Sequence, residues 1–402
     1  MQVRRCAIVF IEPREEVGFD LNDLITGGDG LRRGLRWFAL APHRGEEVEI
    51  DAEGRELLGR IGTLQWIDAD SLGAHAAAAV QVLLRDGLLI AARQQDEDPQ
   101  WTHWRQRDEA LRERHWHPLT AAAHAFTRWR DVDAVQNMET SRTTTAHDMR
   151  ETLGMPPTEC VRRGDPARQI ALPRAQRTQF DDLLARRATC RNWDTGRALP
   201  QALFAQMLER VFSAQSEVRT CEDMAFYKKT SPSGGGLHPI EAYLIVRNVE
   251  GVAPGLYHYQ ARDHALEPMP APEGDLHEWT LRAVARQHWF ADAHTLVLLS
   301  PRFDRMFWKY RQHAKGYRVV TLEAGHFSQT LYLSATDLGL GAFITGGIND
   351  VVLEEAFRLD PVGQGTLALC GFGWRGEEMV TAELDPAGEV WRLPADADTG
   401  RC

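Results

Sequence analysis

The spacing of hydrophobic and polar positions changes along this chain. Residues 1–95 show short apolar runs of strand character, then two helical stretches and a final apolar strand. Ser71 is placed to cap the second of these helices, and Gly87 to end it in a left-handed turn. Two helices followed by a short strand favour a winged-helix-like module. The predicted strands lie in RCAIVFIE, LRWFALAP, EEVEID and LLIAAR, and the predicted helices in residues 53–61 and in SLGAHAAAAVQVLLRDG.

The rest of the chain divides into a helical stretch and an alternating one. Residues 96–175 are rich in tryptophan and histidine and then turn polar, which predicts helices followed by a linker. Residues 176–402 alternate helical and strand patterns, as in the catalytic domains of α/β and α+β proteins. The predicted helices are 178–187, 200–213, 275–287, 318–338 and 349–358, the strands are 241–249, 295–300, 341–345 and 366–372, and GLYHYQARDHALEPM is a hairpin.

The predicted helix 318–338 carries one stripe that is apolar and partly small. Its members recur at spacings of three and four, so they share a face. Gly339 follows where a left-handed residue commonly ends a helix. This pattern predicts a central, closely packed helix. The stripe consists of Ala324, Ser328, Leu331, Ala335 and Leu338.

Composition and charge exclude some partners. The chain has 402 residues, of which 43% are hydrophobic and 26% charged, with a net charge of −11, which is typical of a soluble protein of two or three domains. Residues 1–95 hold 11 arginines, no lysine and 15 acidic residues, a net charge of −4. A phosphate backbone gains no attraction from this balance, so we expect no nucleic-acid partner. A peptide-binding or packing role suits the first module better.

The cysteines, the histidines and the lengths of the apolar runs indicate which sites we do not expect: a metal site, a redox dithiol and a membrane span. The six cysteines contain no C-x-x-C pair, which favours reduced structural thiols. His103, His115, His117 and His124 have no acidic or cysteine partner at ligand spacing, so we expect surface or core histidines and no metal. No stretch approaches ~20 uncharged apolar residues. We therefore expect no membrane partner and a cytoplasmic protein.

Two motifs carry candidate chemistry. In SPSGGG, residues 231–236, glycines let backbone N–H groups approach a flat or anionic ligand, and Ser231 and Ser233 add hydroxyls. A tight turn before a strand explains this loop almost as well. In RRATCRNWD, Arg187, Thr189 and Arg191 share one face if the backbone is extended, offering two guanidinium groups and a hydroxyl to a phosphate. A solvated charged run is the alternative.

Two further motifs follow these in order, LGLGAFITGG and GFGWR. The order R-x-T-x-R, P-S-G-G-G, L-G-L-G…T-G-G and G-F-G-W-R over residues 175–380 resembles the FMN-dependent nitroreductase superfamily. SPSGGGLHPIEAYLIV and the stretch from Lys309 to Phe343 are most similar to the SagB/McbC-type azoline dehydrogenases, which oxidise thiazoline or oxazoline rings in ribosomal peptide maturation. The resemblance implies an α+β, nitroreductase-like FMN-binding fold with a central mixed sheet, preceded by the winged-helix-like module.

The resemblance also implies site residues, partners and a cofactor. It implies that Arg187, Arg191 and Arg375 hold the FMN phosphate and that the N–H of Gly346 lies near flavin N5. It further implies a homodimer with flavin sites between subunits, a precursor peptide as substrate and a cyclodehydratase partner. The remaining implied cofactor-binding residues are Thr189, Pro232, Ser233, Gly234, Gly235, Leu340, Gly341, Thr345, Gly371 and Gly373.

Lys309 and Tyr310 match the Lys-Tyr pair that the resemblance implies is catalytic. Aromatising an azoline removes a ring proton while hydride leaves for the flavin, so a base must face the ring. Adjacent residues on a regular helix point ~100° apart, so the two cannot both face one substrate atom there. Either the segment is irregular or one residue is structural. A lysine beside an aromatic on a helix surface is the simpler interpretation without the resemblance.

Departures from the family pattern keep other functions open. Gly236 stands where nitroreductases tend to have asparagine, and Thr345–Gly346 stand where they tend to have Glu-Gly. These differences disfavour nitroreduction driven by a nicotinamide but not FMN binding. An NAD(P)H-dependent nitro or flavin reductase remains the second hypothesis. A non-catalytic peptide-binding subunit is the third, and the presence of the arginines disfavours it.

Overall fold

A computed structural model describes residues 1–93 and 98–391. The predicted boundary between residues 95 and 96 lies outside the described residues, as does Cys402. The strands are β1 (Gln2–Arg5), β2 (Phe10–Phe19), β3 (Leu31–Leu40), β4 (Glu47–Ile50), β5 (Ile67–Asp68), β6 (Leu89–Ala91), β7 (Ser216–Cys221), β8 (Met224–Lys228), β9 (Ile240–Val246), β10 (Gly255–Gln260), β11 (Ala265–Pro268), β12 (Thr295–Pro301), β13 (Gly341–Thr345) and β14 (Ala368–Gly373). The α-helices are α1 (Leu21–Ile25), α2 (Ala52–Arg60), α3 (Ala77–Arg85), α4 (Pro99–Glu113), α5 (Pro118–Phe126), α6 (Ala134–Thr140), α7 (Ala146–Leu153), α8 (Gln179–Arg186), α9 (Gln201–Phe212), α10 (Leu276–Ala283), α11 (His288–Ala291), α12 (Phe303–Lys309), α13 (Gly316–Asp337) and α14 (Asp350–Phe357).

The chain forms two compact units. The first contains Met1–Arg128, Arg302–Arg318 and Asp360–Gly365. The second contains Trp129–Pro301, Val319–Leu359 and the described residues 366–391. The units therefore divide the chain differently from the predicted segments 1–95, 96–175 and 176–402, because two distant stretches belong to the first unit.

Antiparallel sheets and two helices build most of the first unit. The sheets have the strand orders β5-β1-β6 and β2-β3-β4. Helices α2 and α3 bury Leu57, Leu58, Leu83 and Leu84 in one hydrophobic core. The predicted stretches LRWFALAP, EEVEID and LLIAAR each overlap a strand, and residues 53–61 overlap a helix. The predicted strand RCAIVFIE is wrong as a single strand, because residues 6–9 separate the end of β1 from the start of β2. A winged-helix identity stays a prediction.

The start of α3 differs from the prediction, and its end agrees with it. Ser71 lies in a short 3-10 turn, where its hydroxyl donates to the Asp68 carbonyl over 2.5 Å, and α3 begins only at Ala77. Gly73, with φ at +92°, separates that turn from the next one. The helix ends as predicted, because Gly87 has φ at +67° and Leu88 N–H donates to Leu83 O. A glycine inside an otherwise helical pattern moved the helix start.

A largely buried sheet with the strand order β11-β10-β9-β12-β14-β13 forms the centre of the second unit. All neighbouring strands in it pair antiparallel, and every residue of β12 is buried. A parallel bridge joins Thr189 to Ala342 at the β13 edge. The six strands are antiparallel, so the predicted mixed sheet is wrong for them, and parallel pairing occurs at isolated bridges such as this one. The nitroreductase-like α+β architecture is as expected.

Helix α13 is the central helix that the stripe predicted. Ala324, Leu331 and Ala335 are buried, and Leu340 N–H donates to Ala335 O over 2.7 Å. Gly339 has φ at +72°, which permits that closing hydrogen bond. The hairpin of β7 and β8 was not predicted, because β7 is exposed on both faces and carries no apolar alternation.

The described cysteines and histidines are consistent with structural roles. The five described cysteines are free, and burial raises the pKa values of the Cys6 and Cys190 thiols to about 12. His124 is buried with its ring nitrogens near Tyr317 Oη and Pro361 O, and burial lowers its pKa to about 3. Over residues 1–93 and 98–391 we find neither a His, Cys, Asp and Glu cluster of metal-binding geometry nor a helix long and apolar enough to cross a membrane.

Candidate functional site

The R-x-T-x-R segment runs along the edge of the second unit's sheet. Arg187, Thr189 and Arg191 are partly exposed, whereas Ala188 and Cys190 between them are buried. This alternation shows an extended backbone, the condition under which the spacing places the three side chains on one face. The segment is fixed in register because Cys190 N–H donates to the Ala342 carbonyl over 2.8 Å.

Tyr332 on α13 holds the outer end of this segment. Its hydroxyl lies 2.9 Å from Thr189 Oγ1 and accepts a hydrogen bond from Ile344 N–H over 3.2 Å. The Arg187 guanidinium lies 5.4 Å from the centre of its ring. Burial raises the pKa of Tyr332, which keeps the phenol neutral. Thr189 and Arg187 are therefore positioned by one buried phenol.

A buried carboxylate holds the other end of the segment. Glu383 accepts hydrogen bonds from the backbone N–H groups of Arg191 and Asn192, at 2.6 and 3.1 Å, and from the Asn192 side-chain amide at 2.9 Å. Trp391 Nε1 donates to it over 2.8 Å, and Arg375 forms an ion pair with it. The Glu383 side chain has no exposed surface. The stretch from Glu383 to Trp391 thus ties the R-x-T-x-R segment to the chain after β14.

We expect Glu383→Ala to lower the free energy of unfolding by about 3–5 kcal/mol, because it strands a buried arginine and several buried donors. Chemical denaturation measures this difference. Glu378→Ala is the control, since Glu378 is an exposed glutamate on the same stretch of chain and should have almost no effect. Equal unfolding midpoints for the Glu383→Ala variant and the parent protein would contradict this role.

The glycine loop lies along α13 through successive contacts. Ser231 Oγ is 2.9 Å from Thr330 Oγ1, and the Pro232 carbonyl is 3.3 Å from His326 Nδ1. Ser233 Oγ donates to Glu323 Oε2 over 2.5 Å. Gly235 and Gly236 both have φ at +68°, a conformation that glycine adopts without strain. Gly234–Gly236 form a short 3-10 turn whose backbone stays partly exposed.

Glu323 is the most unusual ionisable group near this loop. It is 1% exposed, and burial raises its pKa to about 7, against the Ser233 hydrogen bond and the nearby Lys229 charge, which both lower it. Lys229 is itself buried, with its ammonium 5.5 Å from the Phe327 ring centre. This carboxyl therefore changes charge close to physiological pH.

The two motifs lie on different faces of α13. Glu323, beside the glycine loop, and Tyr332, beside the R-x-T-x-R segment, are nine residues apart. At ~100° and ~1.5 Å per residue they project about half a turn apart and are separated by roughly 13 Å along the axis. A single chain therefore presents the arginines and the glycine loop in different directions.

The glycines at the ends of β13 and β14 have two kinds of surroundings. At Gly346, a Cβ would meet no heavy atom within 4 Å, so the space beside it is open. A Cβ at Gly371 would lie 2.1 Å from the Phe343 ring, and one at Gly373 would lie 2.2 Å from the His294 ring. Packing thus requires glycine at these two positions, and their predicted contact with a cofactor remains a prediction.

The neighbouring predicted residues are held by local contacts. Gly341 lies against Cys190, whose Sγ would be 2.5 Å from an added Cβ. Thr345 is buried, and its hydroxyl donates to Gln287 Oε1 over 3.2 Å and accepts from Gly347 N–H. Leu340 is buried. These three residues shape the strand that ends at the open Gly346.

Lys309 and Tyr310 belong to the first unit. Helix α12 ends at Lys309, and Tyr310 has φ at −102° and ψ at +57°, outside the helical region. The Lys309 ammonium lies 5.5 Å from the centre of the Tyr310 ring. The segment is thus irregular at the point where a regular helix would have separated the two side chains.

An open depression of about 740 Å³ adjoins Arg191 in the second unit. Trp193 and Trp289 line it together with four acidic residues, Asp194, Asp292, Glu377 and Glu378. Four carboxylates repel a phosphate, so this depression is a poor place for a flavin phosphate despite its size.

Comparison with known proteins places this arrangement in a family. The nitroreductase family model matches residues 184–374. MJ1384 of Methanocaldococcus jannaschii, named a nitroreductase, is 30% identical over 191 residues, which are 48% of this chain and 90% of that protein. The chain belongs to the nitroreductase family. It therefore shares the fold and the oxidoreductase character of nitroreductases.

Two further relatives are named for peptide processing. The trifolitoxin-processing protein TfxB of Rhizobium leguminosarum bv. trifolii is 32% identical over 141 residues, 33% of this chain and 36% of that protein. The microcin B17-processing protein McbC of Escherichia coli is 28% identical over 142 residues, 34% of this chain and 51% of that protein. The match thus spans about a third of the length of TfxB and about half of the length of McbC.

The residues present fit the flavin that a nitroreductase implies. The partly exposed face of Arg187, Thr189 and Arg191 offers charge to a phosphate, and the open space at Gly346 leaves room for a planar ring beside backbone. Arg375 fits less well, because Glu383 already neutralises it and its side chain is only 18% exposed.

Three site residues escaped prediction from the sequence. Glu323 and Tyr332 are two of many polar residues in the amphipathic α13, and Glu383 lies in a stretch without regular periodicity. Glu323 precedes the buried Phe327 by four residues, a spacing that places it on a buried face. A carboxylate on that face was the available sign of a buried ionisable group.

Proposed function

We propose that this protein is an FMN-dependent dehydrogenase that oxidises thiazoline or oxazoline rings of a ribosomal precursor peptide to thiazole or oxazole. The observation that carries the proposal is the break in α12 at Tyr310, which brings the Lys309 ammonium and the phenol ring to one place. The similarity to McbC and TfxB, both named for peptide processing, supports a peptide substrate.

The proposed chemistry assigns proton removal to Lys309. The neutral amine takes the proton from the azoline carbon as the ring becomes aromatic, and Tyr310 orients the substrate or stabilises charge through its hydroxyl. When bound, FMN supplies the acceptor for the hydride that leaves the adjacent ring carbon. Lys309 is exposed, so its side chain is accessible to an incoming substrate.

We assign the phosphate to Arg187 and Arg191 with Thr189, and we revise the role of Arg375. The ion pair of Arg375 with the buried Glu383 argues for a structural role, in which Arg375 anchors the chain after β14. Pro232, Ser233, Gly234, Gly235 and the backbone of Gly346 remain the proposed neighbours of the isoalloxazine ring.

We propose a homodimer, and the orientation of the two motifs supports it. Because the arginine segment and the glycine loop contact α13 about half a turn apart, one flavin does not readily touch both within a single chain. We propose that one subunit supplies Arg187, Thr189 and Arg191 and that its partner supplies the glycine loop. A cyclodehydratase that forms the azoline is the proposed third component.

The similarity to MJ1384 over 90% of that protein favours a second candidate, an NAD(P)H-dependent nitro or flavin reductase. The two candidates differ in their electron donor, because the dehydrogenase takes hydride from the azoline and the reductase takes it from a nicotinamide. Thr345, where nitroreductases tend to carry glutamate, favours the dehydrogenase.

We expect the purified protein to be yellow and to convert a synthetic azoline peptide to the azole with oxygen as the terminal acceptor. Mass spectrometry detects the reaction as the loss of two hydrogens from the peptide. In parallel, NADH and NADPH are offered with a nitroaromatic acceptor. Rapid nicotinamide oxidation without azoline oxidation would overturn the proposal in favour of the reductase.

A further inference from the structure

The contacts of Ser233 determine which way its hydroxyl points. Ser233 Oγ accepts a hydrogen bond from His238 N–H over 2.9 Å and donates to Glu323 Oε2 over 2.5 Å. The single hydroxyl hydrogen is therefore directed at the carboxylate. With the hydrogen used there, only a lone pair of Ser233 remains for any ligand above the glycine loop.

Glu323 can reverse this arrangement by changing its protonation. A protonated carboxyl donates its own hydrogen, so Ser233 Oγ then accepts from both His238 N–H and Glu323. The Ser233 hydrogen is released and is free to point at a ligand. The same hydroxyl is thus an acceptor toward the ligand when Glu323 is charged and a donor when Glu323 is neutral.

We propose that Glu323 is a positioning residue that determines whether the Ser233 hydroxyl donates a hydrogen bond to the flavin or accepts one from it. This inference rests on the proposed function. The ring of oxidised flavin has one N–H donor and several acceptor nitrogen and oxygen atoms along its polar edge. Ser233 as a donor therefore has more partners available to it than Ser233 as an acceptor. Protonation of Glu323 should tighten flavin binding.

The surroundings of Glu323 place this change in a useful pH range. Burial raises its pKa to about 7, so it is neutral below that pH and charged above it. The charged or titratable groups facing it are Lys229 at the end of β8 and His238 before β9, whose Nδ1 is 3.9 Å from Glu323 Oε1. His326 lies three residues further along the same helix and faces the Pro232 carbonyl.

The test measures how fast FMN leaves the holoprotein after dilution, by recovery of flavin fluorescence, between pH 5.5 and 8.5. We expect FMN release to become about 2- to 10-fold faster as the pH rises through about 7. This change in rate corresponds to the loss of one hydrogen bond. Glu323→Gln should remove this step and keep the slow, low-pH rate, because its amide donates to Ser233 at every pH. Ser233→Ala should remove the step and release FMN fast throughout.

Other groups that titrate in this pH range are distinguished from Glu323 as follows. The second ionisation of the FMN phosphate near pH 6 is the same for every variant and cancels in the ratio of rates. His238→Asn removes the imidazole while keeping a residue type that tolerates the left-handed φ of +43° at this position. It should retain the step. Glu354→Gln, a change at another buried glutamate of the same unit, should also retain it.

Infrared spectroscopy measures the protonation of the Glu323 carboxyl directly. Infrared spectra of the full-length protein should contain a protonated-carboxyl band that disappears with a midpoint near pH 7 and that is missing from Glu323→Gln. A step in FMN release that survives in Glu323→Gln or Ser233→Ala, or that vanishes in His238→Asn, would overturn the inference. If Glu323→Gln does not fold, Ser233→Ala still decides. A parent protein that binds no FMN would instead refute the proposed function.

Discussion

Replacing Lys309 with alanine is expected to reduce azoline oxidation by on the order of 10²–10⁴ while leaving FMN bound, because removal of a general base typically costs that much in rate. The FMN phosphate is assigned to Arg187, Thr189 and Arg191, which this variant leaves unchanged. The variant should therefore stay yellow. Single-turnover conversion of an azoline peptide, followed by mass spectrometry, measures the rate at fixed flavin content.

Two companion variants define what the loss means. Lys315→Ala changes an exposed lysine six residues further on and should keep close to parental activity. Tyr310→Phe keeps the ring that lies near the Lys309 ammonium but removes the hydroxyl. A loss comparable to that of Lys309→Ala indicates that the phenol takes part in chemistry. Parental turnover in Lys309→Ala would contradict the assignment of this lysine as the base.

Local patterns allowed much of the second unit to be predicted. Strand β13 has the predicted bounds 341–345, and α8, α9 and α14 begin and end within one residue of their predicted bounds. The spacing in R-x-T-x-R placed three residues on one face on the condition that the backbone is extended, and the structure meets that condition. These features depend on periodicity and turn chemistry, which are carried by neighbouring residues.

The contacts that complete the candidate site could not be predicted in the same way. Ser233 and Glu323 are 90 positions apart, and Asn192 and Glu383 are 191 apart. No short-range pattern pairs such residues. The partner of Arg375 was missed for this reason, because its resemblance to a phosphate-binding arginine rests on local sequence and its ion pair with Glu383 on tertiary structure. The break at Tyr310 was recognised only as one of two possibilities.

Because Arg375 is paired with Glu383, we expect Arg187→Ala and Arg375→Ala to affect different properties of the protein. We expect Arg187→Ala to weaken FMN binding by about 10- to 150-fold, since a hydrogen bond to a charged group contributes roughly 1.5–3 kcal/mol. Arg375→Ala should mainly lower stability, because it leaves the buried Glu383 without its counter-ion. Flavin fluorescence titration gives the affinity, and chemical denaturation gives the stability of each variant.

The matched control for Arg187→Ala is Arg186→Ala, which changes the adjacent, more exposed arginine at the end of α8 and should bind FMN normally. A double variant, Arg375→Leu with Glu383→Leu, removes both charges of the ion pair and should recover the part of the stability that Arg375→Ala loses by leaving Glu383 unpaired. Because Glu383 also holds the backbone of Arg191, the FMN affinity of the double variant is compared with that of Glu383→Leu alone, which isolates any contact between Arg375 and the phosphate. A folded double variant that binds FMN more than about 10-fold more weakly than Glu383→Leu alone would restore Arg375 as a phosphate ligand and contradict its structural role.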